Sequence, residues 1–77
     1  MPKFTYDDIV RVCANPHDSP PRMGKAWIVG IYETEKEPGS YWKKFPPGVV
    51  YSVEFEDGSS TRIHEENLEL WPESKDG

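Results

Sequence analysis

The chain has 77 residues, a net charge of −5, 35% apolar and 13% aromatic side chains, and one cysteine. That length is a single domain near the lower limit for burying a core without disulfides or metal, and a lone thiol excludes an intramolecular bridge and fits a reducing compartment. No apolar run approaches the ~20 residues a membrane span needs, and "MPKFTYDDIVRV" places acids ahead of its first apolar run, unlike a signal peptide, so a cytoplasmic protein is expected.

The first strand is expected in "DIVRVCA", Asp8 to Ala14. Val10 and Val12 share one face and Arg11 takes the other. Cys13 is expected to be a buried, inert thiol, since free cysteine behaves as a small hydrophobe. The ten residues "NPHDSPPRMG" then form a proline-rich loop. "KAWIVGIYETE", Lys25 to Glu35, is the strongest strand pattern, with Trp27, Val29 and Ile31 expected inward and Gly30 marking a bulge or a close backbone approach.

From Gly48 onward the pattern is a hairpin. Val49, Tyr51, Val53 and Phe55 form one face at period two, and Ser52, Glu54 and Glu56 the other. Asp57-Gly58 is a tight hairpin signal, and the return strand, Ser60 to Ile63, turns Ile63 inward. "HEENL" predicts one helical or 3₁₀ turn near residues 64–68 that drops Leu68 onto the core, with Leu70 closing a short last strand. The expected fold is all-β, a small five-stranded SH3-like barrel over residues 1–71, with 72–77 a disordered tail.

Between the second and third strands lies "GSYWKKFPPG". Tyr41, Trp42, Lys43, Lys44 and Phe45 are held between Gly39 and the Pro46-Pro47-Gly48 stop, which blocks strand pairing on both sides. The rings either fold back over an open barrel end or stand out as an interface anchor, for which Trp, Tyr and adjoining cations are the usual material. Phe45, nearest the prolines, suits the lid; Trp42 suits exposure.

Charge is unevenly distributed. Met1 to Val53 carries a net +1 and Glu54 to Gly77 a net −6. Such a flank repels nucleic-acid phosphates and favours a basic protein partner, with no part for a membrane. Glu54, Glu56, Asp57, Glu65 and Glu66 are the candidate acidic face.

Catalytic signatures are not found in the sequence. Cys13, His17 and His64 lack the spacing of a metal site or a nucleophile–base pair. The Glu54/Glu56 and Glu65/Glu66 pairs read as solvated surface acids. Neither catalysis, nor a metal, nor a cofactor is expected.

The series D-I-V-R-V, PH, R-M-G-K-A-W-I-V-G-I, Y-S-V-E-F and E-x-x-L resembles the SH3-like barrel at the end of nitrile hydratase β subunits. The matching positions are Val10, Val12, Pro16, His17, Gly24, Lys25, Tyr51, Val53, Phe55, Glu65 and Leu68. The match consists of scaffold residues, so it implies the barrel and not hydratase activity. A small all-β chain of this kind also resembles the bacterial immunity proteins of polymorphic toxin systems, in particular immunity protein 31. That resemblance implies a cytoplasmic, non-catalytic protein, monomeric or weakly oligomeric when free, that binds and blocks a toxin. Two alternatives accompany it: an SH3-like accessory subunit of a larger enzyme, and a Tudor- or chromo-like reader with Trp27, Tyr32, Tyr41 and Trp42 caging a methylated cation. Strict alternation sends Trp27 and Tyr32 to opposite faces, which disfavours the cage.

Overall fold

The computed structural model describes residues 2–72. Five strands follow in order: β1 (Ile9–Val12), β2 (Gly24–Glu33), β3 (Val49–Phe55), β4 (Ser60–His64) and β5 (Leu68–Leu70), with 3₁₀ turns at Ser40–Lys44 and Glu65–Asn67. They form one antiparallel sheet in the order β4-β3-β2-β1-β5. The second 3₁₀ turn carries the chain back to β1, where Leu68 pairs with Val12 and Leu70 with Val10. This is the expected all-β arrangement, left open: the edge strands β4 and β5 do not pair with each other.

The core forms because the strands turn one face toward a common centre. Val10, Val12, Ala26, Ile28, Tyr51, Val53, Phe55, Ile63 and Leu68 join one buried cluster drawn from all five strands, each large apolar member contributing about 1.5–3 kcal/mol by leaving water. Phe4, which lies before the first strand and is not legible as core in the sequence, is also buried there. Its ring meets Tyr51 edge-on at 5.4 Å.

In β2 the inward phase is the opposite of the one expected. Ala26 and Ile28 are buried, Trp27 is half-buried on the outer face, and Val29 is 45% exposed. Ala26 pairs with Val10 on one side and Phe55 on the other, a layer that a tryptophan would overfill. The register then shifts: Ile28 opposes Val53 and Gly30 opposes Ser52, leaving Val29 as the extra residue of a bulge. Beyond it Ile31 returns to the core side opposite Tyr51. The bulge expected at Gly30 is therefore present, and Gly30 has the expected close approach. A Cβ there would lie 2.9 Å from Ser52 Cβ and 2.9 Å from the Tyr32 hydroxyl.

Cys13 also departs from expectation, being exposed rather than buried. β1 ends at Val12, so Cys13 falls in the outward phase of Arg11 and has no second layer above it. The desolvation its sulfur retains, followed by the Glu69 carboxylate, pushes its pKa up.

The proline-rich loop, residues 13–23, is pinned at two points. Arg22 donates to Ser59 Oγ and pairs with Asp57 at 2.8 Å, while His17 stacks edge-on against Phe45 at 5.0 Å. Buried Asn15 shapes the loop by donating to Asp18 and to the Arg22 carbonyl. At the β3–β4 turn, Gly58 takes φ +88° and its N–H closes on the Phe55 carbonyl, so four residues, rather than two, separate the strands. Of the expected tail only Pro72 is described; 73–77 lie outside the described residues.

Candidate functional site

The outer side of β3 should face water at Val50, Ser52 and Glu54, yet Val50 is fully buried. Its register partners on that side are Tyr32 of β2 and His64 of β4. Over them lies the aromatic loop, with the Trp42 ring 5.0 Å from Tyr32. Phe45 is buried as well, and neither Val50 nor Phe45 belongs to the principal core cluster. The loop thus lies over the outer side of the sheet, with its Trp42 ring against Tyr32, the register partner of Val50.

Sequence determines how the loop presents its side chains. Gly39 at φ +95° admits the chain to the 3₁₀ turn, the Phe45 N–H closes on the Trp42 carbonyl, and Pro46-Pro47 end it. With three residues per turn, side chains three apart stand on one side. Lys44 accordingly lies 4.2 Å over the Tyr41 ring. Tyr41 also meets Trp42 edge-on at 5.0 Å and Phe45 at 5.8 Å. Phe45 is the lid; Tyr41 is 42% exposed, and Trp42 is half-buried between them. Lys43 and Lys44 are exposed.

Arg62 completes the group, and it was not singled out in the sequence. It stands opposite Ser52 on the outer face, its guanidinium 5.5 Å from the Tyr32 ring, 5.4 Å from Tyr41 and 5.6 Å from Trp42. The Tyr41 hydroxyl, then partial desolvation acting against it, then the Tyr32 hydroxyl set its pKa, the net being upward. The bulge in β2 puts Trp27 and Tyr32 on the same face, contrary to strict alternation, but only Tyr32, Tyr41 and Trp42 converge. Trp27 instead lies under Lys25. Because the converging rings touch one another, the cation rests on top of a platform and not within a cage.

The acidic candidates divide into two places. Glu54, Glu56 and Asp57 lie at the β3–β4 hairpin; Glu65 and Glu66 lie in the 3₁₀ turn at the far end of β4, roughly 13 Å away along a five-residue strand. Asp57 is held well below the usual carboxylate range by Arg22 and by the hydroxyl and N–H of Ser59. Glu65 accepts from the Tyr51 hydroxyl at 2.6 Å and the Lys3 N–H at 2.9 Å. Glu66 sits 3.4 Å from His64 Nδ1. That nitrogen accepts the Glu66 N–H, so Nε2 carries the proton and donates to the Pro47 carbonyl at 3.3 Å. Glu54 and Glu56 remain as exposed acids.

Two depressions flank the platform. An open groove of about 420 Å³ runs beside Trp42, lined also by Glu35, Glu37, Lys43 and Pro47. A smaller cavity of about 90 Å³ lies between His17, Phe45, Arg62, Ile63 and His64. Among the described residues no three His, Cys, Asp or Glu side chains gather as a metal site, and no helix is long and apolar enough to cross a membrane. Comparison with protein-family models, curated proteins and solved structures finds no match to this chain.

Proposed function

We propose that this chain is a non-catalytic protein-binding module whose contact surface is the aromatic loop, and that in its cell it acts as an immunity protein, binding and neutralising a toxin. The observation that carries the binding reading is the two-sided loop. Phe45 is buried and the Trp42 ring packs on Tyr32 of β2, which holds the loop on the sheet, while Tyr41 and the cations beside it remain at the surface. A loop anchored in this way loses little conformational freedom when a partner docks, which favours tight binding over a small area. Exposed tyrosine and tryptophan beside arginine are the side chains that dominate interface energies. The net charge of −5 favours encounter with a basic toxin domain, and the exposed Glu54 and Glu56 are the acids best placed to steer it.

The test is affinity capture from the source cell with the wild type and with Tyr41→Ala as bait. The expected result is a protein retained by the wild type and lost from the variant, which inhibits growth when produced alone and is silenced by co-production of this chain. A captured protein held equally by both baits would place the contact surface elsewhere. A captured protein with no toxicity would leave a binding module without the immunity role.

A further inference from the structure

Resting on the binding-loop reading, we infer that the loop recognises a carboxylate: an acidic side chain of a partner protein seats on Arg62, with a small aliphatic neighbour filling the cavity beside it. Arg62 is exposed but not loose. Three rings lie within 5.6 Å of its guanidinium, and the Tyr41 and Tyr32 hydroxyls approach it. With five N–H donors against two approaching hydroxyls, the guanidinium held among these rings retains N–H groups for a planar acceptor, and carboxylate is the acceptor that fits. Among the described residues the ion pairs formed by arginine use Arg11 with Glu69 and Arg22 with Asp57; Arg62 has no carboxylate partner. Lys44, on the same platform over Tyr41, adds a second cation.

The cavity of about 90 Å³ opens next to this edge, between Pro16, His17, Phe45, Arg62, Ile63 and His64. It is smaller than the ~150 Å³ that holds a benzene ring, which suits a valine-sized group. Nucleic acid offers anions too, but Glu66 lines the same cavity and the chain is acidic overall, which opposes a polyanion. A second copy of this chain carries exposed acids at Glu54 and Glu56, yet two molecules of charge −5 repel one another. A basic protein with one acidic residue at its contact meets both requirements.

The probe is a short blocked peptide with one glutamate beside a valine and otherwise uncharged, titrated into the protein while the Trp42 indole N–H and the Arg62 Nε–H resonances are followed. A lysine–valine peptide and a single-stranded oligonucleotide serve as comparisons. The expected result is saturable shifts of both resonances with the acidic peptide, with apparent affinity at least about tenfold weaker in Arg62→Ala, as loss of a charge-assisted hydrogen bond requires, and intermediate in Arg62→Lys. Melting curves of both variants confirm that the fold is retained. Equal binding by Arg62→Ala overturns the inference. If the lysine–valine peptide alone moves the Trp42 signal, the carboxylate inference falls and the binding loop stands; if neither peptide moves it, both fall. Stronger shifts with the oligonucleotide, or shifts on simple concentration of the protein, overturn it in favour of phosphate or self-association.

Discussion

Tyr51 has no solvent exposure, and its hydroxyl joins three parts of the chain: it accepts the Lys3 and Phe4 N–H groups and donates to Glu65. Burial first, and then the Glu65 carboxylate, push its pKa up to about 12 from an ordinary 10.0. The unfolded chain therefore ionises before the folded one. The stabilisation is complete below pH 10 and is lost as pH rises through 12. Tyr51→Phe should cost roughly 1–3 kcal/mol at neutral pH by stranding those partners, and its stability should converge with the wild type between pH 10 and 12. Denaturant melts across that range check both statements. At the same scale, Ile28→Ala should cost about 2–5 kcal/mol, whereas Trp27→Ala, on the outer face, should cost about 1 kcal/mol. Equal losses would contradict the phase of β2. Period-two alternation made Val10, Val12, Tyr51, Val53, Phe55 and Ile63 legible as core, because nothing interrupts their strands. Phe4 was not legible, since a single aromatic before the first strand has no period to read.

Among the elements, β2 shows where pattern reading stops. Two interleaved apolar sets, Ala26/Ile28 and Trp27/Val29/Ile31, offer either phase. The choice is made by the neighbours, through the narrow layer between Val10 and Phe55, which no local pattern encodes. The bulge then changes the phase within the strand and brings Tyr32 to the outer face beside the loop. Gly30→Ala would press a Cβ against Ser52 Cβ and the Tyr32 ring, which lies 3.0 Å away. It should destabilise the fold by about 1–3 kcal/mol and weaken the ring-current coupling between Tyr32 and Trp42. An unchanged melt with unchanged aromatic shifts would show that Gly30 is not what holds Tyr32 in place. The aromatic loop was legible as punctuation, glycine before and prolines after, and Phe45 as its lid. Its 3₁₀ turn and the platform under Arg62 were not, because they depend on the β3–β4 register that puts Arg62 across from Ser52.

For the whole molecule, the net −5 conceals a partition. Asp57 and Glu65 engage Arg22 and Tyr51 within the fold, while Glu54, Glu56 and Glu66 stay exposed and Lys44 and Arg62 gather on the aromatic platform. Distant acids then set the rate of encounter, and the platform sets how long a complex lasts. Reversing Glu54 and Glu56 to lysine should slow association with a captured basic partner and flatten its salt dependence, leaving dissociation nearly unchanged. The most direct measurement of the central claim is the dissociation rate of that partner from Tyr41→Ala, in a variant whose melting curve matches the wild type. Dissociation should be about thirtyfold faster, equivalent to roughly 2 kcal/mol; a wild-type dissociation rate would show that the loop is only a cover for the outer face of the sheet.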